Sequence, residues 1–189
     1  KIISVINQKG GVGKTTTVIN LAAGLSMKGK KVLVIDLDPQ GNATTGLGLS
    51  NNISSDRTIY NVLNGNKKIY EVIQQTNFEN LNIISSNVDL SGLEVETAGD
   101  NRRAFKLKDE LGLISNDSRA SYDYIIIDCP PSLSLLTIMA LVASEALVVP
   151  LQTEFFALEG LTQLMKTIER IKSNLNPSLE IRGILLTMY

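Results

Sequence analysis

Apolar positions along the chain fall into two kinds of run. Short runs rich in Ile, Val and Leu, without strict alternation, occur at residues 2–6, 32–35, 124–127, 146–149 and 183–186, with a weaker one at residues 81–84. Strands apolar on both faces predict a sheet covered on both sides. Val18, Leu21, Ala22 and Leu25 recur instead at helical spacing, with Gly29 as a stop, and residues 158–175 carry a longer helical pattern. The alternation of strand and helix predicts βαβ units. The expected fold is therefore α/β, three layers, with helices on both faces of a mainly parallel, twisted sheet. Residues 41–56, rich in Gly, Asn, Ser and Thr, read as a long loop, and residues 85–101 are also loop-like. Long loops in a compact α/β domain are often functional. Neither a repeat nor a boundary divides residues 1–189, which are expected to form one domain.

Composition narrows the chemistry. Hydrophobic residues are 43% of the 189, Trp is absent and aromatics are only 5%, so aliphatic side chains must build the core. Lys and Arg number 18 against 19 Asp and Glu, and a net charge of -1 gives no global attraction to nucleic acid or membrane. With no His, histidine bases, Ser-His-Asp triads and His-ligated metals are excluded. The single Cys129 can make neither an intrachain disulfide nor a paired-cysteine metal site, and it reads as a small buried hydrophobe in a reducing cytoplasm. No apolar run approaches the roughly 20 residues that span a bilayer. A start at Lys1 rather than Met, and a stop at Tyr189 just after an apolar run, suggest a piece of a longer protein.

The segment Gln8-Lys9-Gly10-Gly11-Val12-Gly13-Lys14-Thr15-Thr16 follows a predicted strand and opens a predicted helix. That is the setting of a P-loop, in which glycines turn backbone N–H groups toward phosphate oxygens at a helix N-terminus. Lys14 would then reach the β- and γ-phosphates of a nucleoside triphosphate. The Thr15 hydroxyl would ligate Mg²⁺, and Thr16 could bond the α-phosphate. The usual spacing wants Gly at position 8. This chain has Gln8 there and an additional lysine, Lys9, before the glycine pair.

Two predicted strands end in carboxylates. Asp36-Leu37-Asp38-Pro39-Gln40-Gly41-Asn42 follows the second, where a carboxylate can hold Mg²⁺ through water, orient an attacking water, or merely cap a turn. Ile125-Ile126-Ile127-Asp128-Cys129-Pro130-Pro131-Ser132 has the form of a Walker B strand, with Asp128 placed to bind Mg²⁺.

The segment from Lys9 to Thr15 resembles the deviant Walker A motif of the ParA/MinD superfamily of P-loop ATPases. The resemblance implies that Lys9 is the signature lysine, which crosses a dimer interface to the phosphates of the partner's ATP. It also implies that Asp36–Asn42 is switch I, with Asp38 positioning the hydrolytic water and Asp36 structural, and that Pro130 and Pro131 begin switch II. The implied catalytic set is Lys9, Lys14 and Asp38. Nucleotide would be held by Lys9, Gly10, Gly11, Val12, Gly13, Lys14, Thr15 and Thr16, and Mg²⁺ by Thr15 and Asp128.

Within the superfamily, Pro39-Gln40-Gly41-Asn42-Ala43-Thr44, Cys129-Pro130-Pro131-Ser132-Leu133, the segment from Glu154 to Leu161 and the terminal Gly183-Ile184-Leu185-Leu186-Thr187-Met188-Tyr189 look like ParA/Soj partition ATPases. The likeness runs from Lys1 to Tyr189, with Met139 where the family commonly has Asn. It implies an ATP-dependent homodimer that binds DNA without sequence preference, largely through a part beyond Tyr189. A ParB-type centromere-binding partner would stimulate weak ATP hydrolysis, and the protein would be cytoplasmic and associated with the nucleoid. Two alternatives share the loop: a MinD-like membrane-recruited regulator, and a small-molecule synthetase of the dethiobiotin or cobyrinate type. The basic groups Lys28/Lys30/Lys31, Arg102/Arg103/Lys106/Lys108 and Lys166/Arg170/Lys172 read more readily as solvated faces than as phosphate contacts.

Overall fold

The computed structural model describes residues 1–49, 54–116, 121–153 and 157–188. Glu154, Phe155, Phe156 and Tyr189, which carry part of the resemblance, lie outside the described residues, as do residues 50–53 of the first predicted loop. In chain order the elements are β1 (Ile2–Val5), α1 (Lys14–Met27), β2 (Val32–Asp36), α2 (Asn42–Gly46), α3 (Ile59–Leu63), β3 (Gln74–Gln75), β4 (Leu81–Ile84), α4 (Leu93–Glu96), α5 (Lys106–Asn116), β5 (Tyr124–Asp128), α6 (Leu135–Ala143), β6 (Ala146–Gln152), α7 (Ala157–Asn174) and β7 (Glu180–Thr187). Among the described residues the strands form one sheet in the order β3-β4-β2-β5-β1-β6-β7. Every pairing is parallel except that of the two-residue β3 with β4.

The double-sided burial predicted for the strands has a direct cause. Side chains alternate across a strand. Val32 and Val34 face one apolar cluster with Val18 and Ala22 of α1. Leu33 and Ile35 face another with Leu107 and Leu111 of α5 and Met139 and Ala140 of α6. Helices thus cover both faces, and the three layers are those expected. A further cluster joins Leu147 and Val149 of β6 to Leu164, Ile168 and Ile171 of α7.

The predicted stop of α1 is met: Gly29 adopts φ 75°, just beyond the cap at Lys28. The two predicted long loops are not wholly irregular. The first holds α2 and the second holds a 3₁₀ turn (Val88–Gly92) followed by α4. Neither shows in the apolar pattern, because α2 is fixed by polar bonds to Asp36, and the 3₁₀ turn and α4 by one buried peg each, Leu90 and Leu93. Helix α6 gives no amphipathic stripe because eight of its nine residues are buried, with Leu135, Leu136 and Met139 toward α5 and Leu141 and Val142 toward α7. Met139, the departure from the family pattern, is a core residue.

Replacing Leu33, fully buried between β2 and the α5–α6 layer, by Ala should destabilise the chain by about 3 kcal/mol, within the range for large-to-small core substitutions. Urea unfolding should show a lower midpoint with an unchanged slope.

Candidate functional site

The candidate site lies where β1, β2 and β5 end together. Strand β1 runs into the loop that opens α1. Gly13 is the N-cap of α1 with φ 89°, a left-handed conformation open to glycine but strained for a side chain. Gly11, at φ 76°, makes a second such turn. No side chain caps this helix and its first turn holds no acidic residue. Its leading N–H groups and the positive end of its dipole therefore face the cleft, which suits an anion.

The loop is fastened from below. Asn7, buried, donates from Nδ2 to the Pro150 carbonyl of β6 at 2.7 Å and accepts the Lys9 N–H at 3.0 Å. Gln8 donates from Nε2 to the Gly160 carbonyl of α7 at 3.1 Å. Lys14 is only 7% exposed, and its Nζ donates to the Lys9 carbonyl at 2.8 Å. Burial lowers its pKa, opposed by the nearby charges of Asp128 and Asp38.

Facing the loop is an acidic wall. Asp36 and Asp128 are register partners at the ends of β2 and β5, and both are fully buried. Asp36 accepts the Asp38 N–H at 3.0 Å and, on its other oxygen, the Thr44 N–H at 2.8 Å and the Thr44 hydroxyl at 2.7 Å. The Thr44 hydroxyl in turn accepts the Ser86 N–H at 3.0 Å. Asp36 thus ties the turn that carries Asp38 to its own strand and to the end of β4. Gly41 sits in that turn at φ 65°, and a Cβ there would lie 3.4 Å from the Ser86 carbonyl, so a larger residue would be both strained and crowded. Asp38 is buried and lines the cleft, with Oδ1 accepting the Gln40 N–H at 3.0 Å.

The Thr15 hydroxyl donates to Asp128 Oδ2 at 2.7 Å, so the two residues predicted to hold a metal are in direct contact. Asp128 Oδ1 is buried with no hydrogen-bond partner. An acceptor in that state fits a site completed by a hydrated divalent cation. Burial, followed by the repulsion of Asp36, raises the Asp128 pKa to about 7, against the Thr15 hydrogen bond. Burial raises that of Asp36 to about 6, against its bonds from Thr44 and Asp38.

A cleft of ≈ 300 Å³ opens above these groups, lined by Gly10, Gly11, Gly13, Lys14, Thr15, Thr16 and Asp38 of the predicted set and by Asn42, Pro131 and Met188. Three predicted residues are not in that lining. Asp128 lies beneath it, reached through its bond from Thr15. Val12 is buried beneath the loop, so that it could offer the cleft only backbone. Lys9 is exposed and is not among the residues lining the cleft. Asn7, Thr187 and Met188 were not singled out as site residues from sequence; Thr187 and Met188 entered only within the terminal segment that carries the family resemblance, and no motif marks Asn7. Burial pushes the Cys129 thiol upward, which leaves it unsuited to nucleophilic chemistry. Arg102 pairs with Asp109 and Lys106 with Asp100, so part of the basic group leading into α5 is occupied by acidic neighbours. No helix among the described residues is long and apolar enough to cross a membrane.

Comparison with known proteins adds four findings. A family model described as an AAA domain matches residues 1–181. The chromosome partitioning protein ParA of Caulobacter vibrioides is 50% identical over 189 residues, covering 100% of this chain and 70% of that protein. The sporulation initiation inhibitor protein Soj of Bacillus subtilis is 48% identical over 188 residues, covering 100% and 72%. Among solved structures, cobyrinic acid a,c-diamide synthase from Mycobacterium smegmatis with bound ATP analog and magnesium superposes with a TM-score of 0.90 at 38% identity, covering 100% of this chain and 75% of that one.

The raised carboxyl groups fix the sign of a pH effect. Between the ordinary 3.8 and about 6 at Asp36, and between 3.8 and about 7 at Asp128, the folded chain binds protons that the unfolded chain has released. Unfolding free energy from these groups therefore falls as pH rises through those intervals, with a limit of about 1.4 kcal/mol per pH unit per proton. Without nucleotide or divalent cation, thermal melts of Asp128→Asn should depend less on pH between about 4 and 7 than those of the wild type, which loses this contribution on alkalinisation. A pH dependence identical in the two proteins would contradict the buried-carboxyl assignment.

Proposed function

The chain belongs to the ParA/Soj family of partition ATPases, and from that premise we propose that it is an ATP-driven molecular switch whose nucleotide site is the cleft above β1, β2 and β5. The observation that carries this is the meeting of Lys14, Thr15, Asp38 and Asp128 at one loop, with the Thr15 hydroxyl on the Asp128 carboxylate. Residues 1–189 belong to one P-loop ATPase domain. Its cofactors are ATP and Mg²⁺. Backbone N–H groups from Gly10 to Thr16, with the N-terminus of α1, receive the phosphates. Lys14 neutralises charge at the β- and γ-phosphates, and Thr16 meets the α-phosphate. Thr15 and Asp128 would hold Mg²⁺, which supplies charge neutralisation when bound. Asp38 orients the attacking water.

Lys9 acts on a second copy. Its exposure, and its place outside the lining of its own cleft, support a role across a dimer interface. ATP would then favour a face-to-face homodimer with Lys9 of each copy in the other's site. The dimer binds DNA without sequence preference, and a ParB-type partner stimulates an otherwise weak hydrolysis and releases it. The protein works in the cytoplasm on the nucleoid. The likeness to a cobyrinic acid a,c-diamide synthase favours a second reading, a small-molecule synthetase with the same loop. That reading predicts ATP turnover only with an acceptor substrate, whereas the switch predicts turnover with water.

Asp38→Ala should leave MgATP affinity within about threefold while phosphate release falls about a hundredfold, the scale of a lost proton-handling or water-orienting group. Single-turnover phosphate release beside calorimetric titration separates the two effects. Equal turnover in both proteins would place water activation elsewhere.

Lys9→Ala should still bind ATP but remain monomeric with a non-hydrolysable analogue, whereas the wild type dimerises. Sedimentation velocity reads this directly, and a Lys9→Ala protein that dimerises as tightly as wild type would remove the trans role.

A further inference from the structure

Among the described residues strand β7 lies at one end of the sheet, and all but one of its residues are exposed. Its final residue, Thr187, differs. It pairs in register with Gln152 of β6, is partly buried, and donates its hydroxyl to the Val12 carbonyl at 2.8 Å, 175 residues away in sequence. Val12 belongs to the phosphate loop, and its carbonyl shares a peptide unit with the N–H of Gly13. The described residues contain no cis peptide bond. In a planar trans peptide the C=O and N–H point in opposite directions. With the Val12 carbonyl held toward Thr187, the Gly13 N–H is turned away from Thr187. Gly13 lines the cleft and Thr187 does not, so that direction is the side where phosphate oxygens would sit.

This peptide unit needs such a hold. It is bounded by Gly13 at φ 89°, and glycine populates both signs of φ at little cost, so rotation of the unit meets little intrinsic resistance. The Thr187 methyl lies beside the same turn: Cγ2 is 3.5 Å, ordinary contact distance, from where a Cβ on Gly13 would stand. The next residue, Met188, lines the cleft itself and adopts φ 53°, unusual for a side chain without local polar support.

We infer that Thr187 is a positioning residue of the nucleotide site, its hydroxyl fixing the Val12–Gly13 peptide so that the Gly13 N–H faces the phosphates. The inference rests on the nucleotide-binding reading above. Thr187 touches neither nucleotide nor water in this role; it acts through the loop. It makes the last residue of an edge strand part of the phosphate cradle.

The test compares Thr187→Val, which keeps the shape and removes the hydroxyl, with Thr187→Ser, which keeps the hydroxyl. Each is titrated with MgATP in a calorimeter, and each is melted without nucleotide. Thr187→Val should bind MgATP about five- to tenfold more weakly, the scale of one neutral hydrogen bond, while Thr187→Ser stays within about twofold of wild type. The nucleotide-free melting point of Thr187→Val should shift by only a few degrees. Wild-type affinity in Thr187→Val overturns the inference. So does equal weakening in Thr187→Ser, which would assign the effect to the methyl group, and so does loss of the folding transition in Thr187→Val, which would make the contact purely structural. A wild-type chain that fails to bind MgATP shows itself in the reference titration and removes the nucleotide site, and the Thr187 role with it.

Discussion

Two carboxyl groups buried side by side set the terms for the rest of this molecule. Asp36 and Asp128 stand level because β2 and β5 are adjacent and parallel, and burial leaves neither a full share of water. Such a pair persists only if hydrogen bonds and charge offset the cost of removing it from solvent. Asp36 takes three donors from the turn beyond β2, and that turn acquires its shape in the process. Asp128 takes one from Thr15 and keeps an oxygen unmatched. Lys14, drawn into the same region, supplies one ammonium against the carboxylates around it. The acidic wall is therefore short of positive charge.

The loop opposite has the reverse deficit. Its glycines and the bare N-terminus of α1 offer donors and a positive dipole end, with no side chain to receive them. The two halves are complementary, and each is incomplete. A polyphosphate with a divalent cation supplies what both lack: anionic oxygens for the loop and positive charge for the wall. Acidic strand ends and a glycine loop are thus parts of one electrostatic arrangement, made possible by a parallel sheet that brings strand ends to a common rim.

The rim and most of its residues were legible in the sequence because they depend on local rules. Apolar runs ending in Asp36 and Asp128 mark strands and their ends, and glycines before Lys14 mark a tight turn into a helix. What escaped depends on tertiary context. Helix α6 is buried on nearly all sides and carries no stripe to read. Helix α2 forms in a polar segment because a carboxylate from another element captures Thr44. Asn7 and Thr187 are ordinary polar residues whose importance arises only when β6 and β7 are laid beside the loop. Lys9 was legible as an anomaly of spacing, but spacing alone could not say where its ammonium would go.

The two edges of the sheet differ. At one, β3 contributes two residues in an antiparallel pairing, too short to template another strand. At the other, β7 runs for eight residues with Ile184 at 47% and Leu186 at 53% exposure. Edge strands invite backbone pairing with other chains, and a short edge discourages it. Association by strand addition therefore finds no template on the β3 side of the described sheet.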